Sequence, residues 1–406
     1  MRIALVYDRL YPHTIGGLER YFAALAEALA DRNTVTYLTR ELWDRPESRS
    51  FDVVGVSPGG SFYRRSGRRR VWPALRFGFG VFGHLVRHHD YDVVHISSFP
   101  WLALLGARLA LRVCRSSALL VVDWLELWPK SYWIDYAGPL LGRVGYAVQE
   151  RCLRVEQVAV THSALTEHRL RRAGYHGSLL RLLGLFEDRQ AGLYDDRPTG
   201  NHKPTEAGPG AAVVFAGRHV PEKQVALVPE VIRRAREWVP SLSCTIYGDG
   251  PETAAVHAEV QRLALEQVVH VAGVASDSEL SAAFRQAACL LHPSLREGFG
   301  LVIVEAAAAG TPSVVIDSSE NAALELVIPG VNGEIVDRGD IDGLAAAVAK
   351  LVQERDVMKP RTRAWYEANA ESFDVRNAAD ALQRVYAEGL AGPIAITEPV
   401  EASISG

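Results

Sequence analysis

The sequence predicts an α/β protein made of two doubly wound, Rossmann-like domains, and three observations carry that expectation. A chain of 406 residues, 48% of them hydrophobic, exceeds what one hydrophobic core organises, so two domains of roughly 150 to 200 residues each are expected. Short apolar runs alternate with segments of helical spacing in both halves, which is the β/α alternation of a parallel sheet. Between the halves, Glu187 to Gly210 has no periodicity and is rich in Gly, Pro and Asp, as an interdomain linker is.

In chain order, Ile3 to Tyr7, Val35 to Leu38, Val93 to Ile96 and Leu119 to Val122 read as buried strands, with helical spacing in segments such as Leu18 to Ala30. The pattern returns in Ala212 to Ala216, Ser243 to Tyr247, Val268 to Val271, Ala288 to Leu291 and Ser313 to Ile316. Helices are expected between them over Ala226 to Val239, Pro251 to Leu265, Asp277 to Ala287 and Gly300 to Ala309. The division is therefore an N-terminal domain over 1–186, a linker over 187–210, a C-terminal domain over 211–365, a terminal helix over 366–390 and a disordered tail over 391–406. Ligands of open parallel sheets bind beyond the carboxyl ends of the strands, so two such domains facing each other across a cleft would place the site there.

Composition narrows the function. Forty-four Lys and Arg against 48 Asp and Glu give a formal charge of -4, so no global field attracts nucleic acid. Neither an RNA-binding aromatic motif nor a helix-turn-helix pattern is present, and nucleic acid is not an expected partner. Cys114, Cys152, Cys244 and Cys289 lie far apart in apolar surroundings and read as reduced core thiols, with no metal site expected. The start, MRIALVYDRL, has an apolar run too short for a signal peptide and suited to a first strand. No run reaches the ~18 apolar residues of a membrane span, so the expected location is cytoplasmic.

Two local patterns carry chemistry. In HPSLREGFGLVIVEAAAAG, His292 to Gly310, a loop carboxylate at Glu297 precedes Gly298, Phe299 and Gly300, and Glu305 follows inside the next helix. The glycines let a tight turn bring helix N-terminal N–H groups close to a ligand, where the dipole favours an anion. The two carboxylates are too far apart to touch but can hold opposite ends of one elongated ligand, each accepting hydroxyl hydrogen bonds. The plainer reading is a helix charge partner and a solvated helix residue. In FAGRHVPEKQ, Arg218 and Lys223 follow the first strand of the second half, and two cations there would neutralise a diphosphate. An ordinary basic loop is the alternative.

Taken together, GR-x4-K at 217–223, GDGP at Gly248 to Pro251, PS-x2-EGFGL-x3-E at 293–305, NAALELV at Asn321 to Val327 and GVNG at Gly330 to Gly333 resemble the retaining glycosyltransferases of family 4, which have the GT-B fold. IGGLERYFAALAEALA near the start is similar to the family's first loop and helix, so the likeness runs through essentially the whole chain. The resemblance implies transfer of a hexose from a nucleotide-sugar donor with retention, by a same-face route in which the leaving phosphate helps deprotonate the acceptor. No metal and no cofactor are implied. Arg218 and Lys223 would hold the diphosphate, Glu305 the ribose, and Glu297 with the amides of Gly298, Phe299 and Gly300 the transferred sugar. Gly16 and Gly17 would abut the donor phosphates. The base is left between uracil and guanine, with a UDP-sugar slightly favoured over a GDP-sugar, and the terminal helix would cross back to the first domain.

One departure concerns the acceptor side. In VVDWLELWPKSYW many family members carry a His before the acidic residue, where this chain has Leu125 before Glu126. Asp123 and Glu126 are the substitutes in reach, and His95, at the end of another strand, is a third acceptor-side candidate. The acceptor itself is hinted at by residues 62–89, where Arg64, Arg65, Arg68, Arg69 and Arg70 precede Trp72, Leu75, Phe79, Phe82 and Leu85 or Val86 at helical spacing. Basic residues beside an aromatic amphipathic helix suit the anionic inner face of a membrane and a glycan or lipid-linked acceptor. A core helix after a solvated loop, or a basic pocket for an anionic small-molecule acceptor, would explain the same residues. The loss of the His also admits a nucleotide-sugar-binding partner of another transferase, and a nucleotide-sugar epimerase is a further alternative.

Overall fold

The computed structural model describes residues 1–41, 49–60, 71–186 and 212–392. The expected linker, all but the first two residues of the expected tail, and Arg64 to Arg70 lie outside the described residues. The described residues divide into two compact units, one formed by the N-terminal part to residue 186 with residues 372–392, the other by residues 212–371.

The first unit is built on one parallel sheet of β1 (Arg2–Val6), β2 (Thr34–Glu41), β3 (Asp52–Pro58), β4 (Val93–Ser97), β5 (Leu119–Trp124), β6 (Val158–Thr161) and β7 (Leu179–Arg181). The strand order is β3-β2-β1-β4-β5-β6-β7. Helices cover the sheet, so its central strands carry unbroken apolar runs rather than alternation. In β1, Ile3, Ala4, Leu5 and Val6 are all fully buried. Helix Gly17–Ala30 returns over the sheet with Tyr21, Phe22, Leu25, Ala26 and Leu29 inward, a stripe of helical period. β3, β6 and β7 are absent from the expected elements; they are half-exposed or only three or four residues long.

Helix Val71–Arg87 corrects the expected amphipathic face. Its inward residues are Phe77, Val81 and Leu85, each at most 2% exposed, while Trp72 and Phe79 stand 70% and 73% exposed. Phe82 and Val86 pack half-buried against the core. The residues grouped as one face thus divide between a core face and an outward aromatic pair.

The expected helix over 366–390 is two helices, Arg355–Phe373 and Val375–Ala391. The break is at Asp374, whose carboxylate accepts from the Arg376 N–H at 2.8 Å, an N-cap that starts the second helix. There the chain rejoins the first unit: the Phe186 N–H donates to the Phe373 carbonyl at 3.0 Å and the Val375 N–H to the Phe186 carbonyl at 2.9 Å. The last helix packs on helix Gly17–Ala30, and Arg32 pairs with Asp380.

The second unit is a six-stranded parallel sheet of β8 (Ala212–Ala216), β9 (Ser243–Tyr247), β10 (Val269–Gly273), β11 (Cys289–His292), β12 (Ser313–Asp317) and β13 (Gly333–Asp337), in the order β10-β9-β8-β11-β12-β13. Its core joins Val213, Phe215, Ile246, Leu291, Val314 and Ile316 to the helix residues Val228, Ile232, Leu344 and Val348. Each such side chain contributes about 1.5–3 kcal/mol by burial. β8 and β11 are neighbours from which the strand order runs outward in opposite directions, and the loops at their carboxyl ends flank the place where doubly wound sheets bind ligands.

Candidate active site

Those two loops bring together Lys223, His292 and Glu297. Lys223 ends a short 3₁₀ turn, Pro221–Lys223, after β8, and the loop is tied to the one after β11 by the Leu295 N–H donating to the Glu222 carbonyl at 2.9 Å. The backbone of Glu297 is fixed on both sides. Its N–H donates to the Glu320 carbonyl at 3.1 Å and its carbonyl accepts from the Ala322 N–H at 3.0 Å. Asn321, between them, is buried and donates from Nδ2 to the Ser294 and Ile316 carbonyls at 3.2 and 3.0 Å.

Glu297 has a side chain only 11% exposed, and its Oε1 accepts from both Lys223 Nζ and His292 Nε2. Burial alone would raise its pKa, but the Lys223 ammonium and His292 outweigh it and hold the carboxyl well below the usual carboxylate range. His292 is fully buried, and burial lowers its pKa despite the neighbouring carboxylate. At neutral pH the ring is therefore uncharged and donates from Nε2. The sequence pattern gave no role to His292; its position at the end of β11, five residues before Glu297, was the available signal.

Beyond Glu297 the chain turns at Gly300, whose φ of 101° and close approach to Ala323, 2.6 Å from where a Cβ would stand, exclude a side chain. Helix Leu301–Ala308 begins there. The N–H groups of Gly298, Phe299, Gly300 and Leu301 make no hydrogen bond to the protein among the described residues, so they and the helix dipole are available to an anion. Glu305 is half-buried in that helix. Arg218 is exposed on the loop after β8; the ion pair of Glu297 is made by Lys223. A buried carboxylate, a cation and unpaired helix amides at one sheet switch point suit a ligand that carries both anionic and hydroxyl groups.

The expected acceptor-side residues divide. His95 and Asp123 are fully buried inside the first unit, not at its surface as expected, because the ends of β4 and β5 are covered by the last helix as well as by their neighbours. Asp123 accepts from His162 Nε2 at 2.8 Å and from His95 Nε2 at 3.0 Å, and His95 Nδ1 meets the Tyr386 hydroxyl at 2.5 Å. This network pins the last helix to the sheet. Burial would raise the Asp123 pKa, yet His162 and His95 hold it well below the usual range. A depressed carboxyl pKa contributes stability above its unfolded value, near 4, and loses it as pH falls below that value. Asp123→Asn is expected to destabilise the protein by about 3–5 kcal/mol, read as a lower melting temperature at pH 7 that converges on wild type in acid. Glu126 is half-buried and accepts from Trp128 Nε1 at 2.8 Å. Gly16 caps helix Gly17–Ala30, and a Cβ there would lie 2.3 Å from Glu19 Oε2; Glu19 is itself held by Arg9 at 2.7 Å.

Two parallel-sheet α/β units of this topology are the architecture of the GT-B fold. A family model described as "Glycosyl transferases group 1" matches residues 197–372, and one described as "Glycosyltransferase Family 4" matches residues 15–183. Between them they take in most of the chain, which belongs to the family 4 glycosyltransferases. Glycogen synthase of Mycobacterium tuberculosis is 31% identical over 176 residues, 43% of this chain and 42% of that protein. Phosphatidyl-myo-inositol mannosyltransferase of Mycobacterium leprae is 30% identical over 179 residues, 44% of this chain and 46% of that protein. The chain thus spans less than half the length of these curated relatives. HepE of Anabaena, in a crystal structure with UDP and glucose, superposes with a TM-score of 0.69 at 18% identity over 95% of this chain and 99% of that one.

Proposed function

We propose that the chain transfers a hexose from a nucleoside diphosphate donor, UDP before GDP, to an acceptor hydroxyl with retention and without a metal. The observation that carries this reading is the convergence of Lys223 and Glu297 beside the unpaired amides of Gly298 to Leu301. Lys223 and Arg218 take the diphosphate, Glu297 a hydroxyl of the sugar, and Glu305 the ribose diol. The bond between the anomeric carbon and the phosphate oxygen breaks, the acceptor oxygen bonds to that carbon on the same face, and its proton passes to the departing phosphate. Two cations and a helix N-terminus stabilise the charge that the phosphate gains. The UDP and glucose in the HepE structure support the donor class. Incubation with UDP-glucose and a panel of glycan, lipid-linked and small-molecule acceptors is the test. Acceptor-dependent UDP release that persists in chelator, with an α-linked product by NMR, is expected. Sugar interconversion without acceptor would instead make the protein an epimerase.

A lipid-linked acceptor and docking on an anionic membrane are proposed from the outward aromatic pair Trp72 and Phe79, and the phosphatidyl-myo-inositol mannosyltransferase supports that choice. No helix among the described residues is long and apolar enough to cross a membrane, so contact would be at the surface. Trp72→Ala with Phe79→Ala is expected to weaken binding to phosphatidylglycerol vesicles by about tenfold to a hundredfold. Unchanged sedimentation with vesicles would remove the membrane from the account.

A further inference from the structure

We propose that His292 is a positioning residue of the donor site, the anchor that keeps Glu297 aimed at the sugar once a diphosphate draws Lys223 away. The inference rests on the donor reading above. In the protein without ligand, Lys223 and His292 both bind Glu297 through the same oxygen, Oε1. Oε2 accepts from no group among the described residues, and it is the oxygen left to accept a sugar hydroxyl.

The two anchors differ in kind. Lys223 sits on a flexible four-carbon stem with a side chain 17% exposed, and an ammonium is a mobile point charge that a phosphate attracts strongly. His292 ends β11, its side chain fully buried, and its ring has no room to follow a ligand. Its Nδ1 is buried with no hydrogen-bond partner among the described residues. A neutral ring that donates from Nε2 has an acceptor of this kind at Nδ1, so the hydrogen bond to Glu297 is the ring's single polar commitment. That bond is charge-assisted, a class roughly twice as strong as neutral pairs. With donor bound, Lys223 turns to the phosphates and His292 alone holds Oε1, so Oε2 keeps its direction. The groups that face Glu297 and set its charge are Lys223 and His292; those that face His292 are Glu297 and Lys223.

The position should therefore read out on the sugar and not on the nucleotide. His292→Phe fills the same space without a donor, and His292→Gln returns an N–H donor near the place of Nε2. Both variants and the wild type are titrated with UDP and with UDP-glucose, and kcat and KM are measured across pH with any acceptor the panel identifies. For His292→Phe the expected results are UDP affinity within about twofold of wild type and UDP-glucose kcat/KM lower by about tenfold to a hundredfold. The acidic limb of its pH profile should move to higher pH, because Glu297 loses one of the two groups that keep it ionised. His292→Gln should recover most of the loss and return the acidic limb toward wild type. Wild-type behaviour of His292→Phe, or an equal loss of UDP and UDP-glucose binding in both variants, would overturn the proposal by making the ring a packing residue only. If His292→Phe does not fold, an unrecovered pH limb or sugar term in His292→Gln overturns it instead. A wild-type protein that binds neither ligand would remove the donor reading first, and this proposal with it.

Discussion

Glu297→Gln is expected to lower turnover by about 10²- to 10³-fold, the effect of removing one preorganised electrostatic group from a transfer site, while UDP binds as tightly as to wild type or more so. The direction for UDP follows from the empty site, where Lys223 is engaged by Glu297. Neutralising that carboxylate releases the ammonium for phosphate. Sugar recognition should suffer in the opposite sense, since an amide occupies the space of the carboxylate but accepts hydrogen bonds more weakly and carries no charge. Separate titrations with UDP and UDP-glucose, together with steady-state rates, resolve the two effects. Full turnover in the variant would place Glu297 outside the site.

The second large effect is expected for Arg218→Ala combined with Lys223→Ala, which should raise the dissociation constant for UDP by a hundredfold or more, as the loss of two charge-assisted contacts implies. Lys223 also bears on stability, because it is one of two groups that hold the Glu297 pKa down. A depressed carboxyl contributes stability that is present above its unfolded pKa and fades as pH falls, so Lys223→Ala should weaken the protein at neutral pH and less so in acid. Thermal unfolding of the Lys223 variant and the wild type at pH 4 and pH 7 shows whether the loss depends on pH in that sense.

The parts of this molecule that the sequence revealed are those whose signal is local. β1, β8 and β12 carry contiguous buried runs because their sheets are covered on both faces, and the EGFG turn announced itself through glycines that the backbone requires. β3 and β13 escaped notice because they are edge strands with half-exposed residues, and β6 and β7 because four and three residues carry too little pattern. What stayed hidden in the site is a matter of which side chains meet. Lys223 and Glu297 are 74 residues apart in the chain, and only the adjacency of β8 and β11 makes them an ion pair. His95 shows the same limit in the other direction. A histidine at a strand end invites a ligand-facing role, but a helix almost 300 residues later, carrying Tyr386, closes over it.

The central claim is that the loops after β8 and β11 hold a nucleoside diphosphate sugar through Arg218, Lys223 and Glu297. Isothermal titration of the wild type and the Arg218→Ala, Lys223→Ala double variant with UDP and GDP, each alone and as its glucose conjugate, tests it most directly. The account predicts selective binding of one base, UDP, that the double variant loses. Binding of neither nucleotide, or equal binding by wild type and variant, would contradict it.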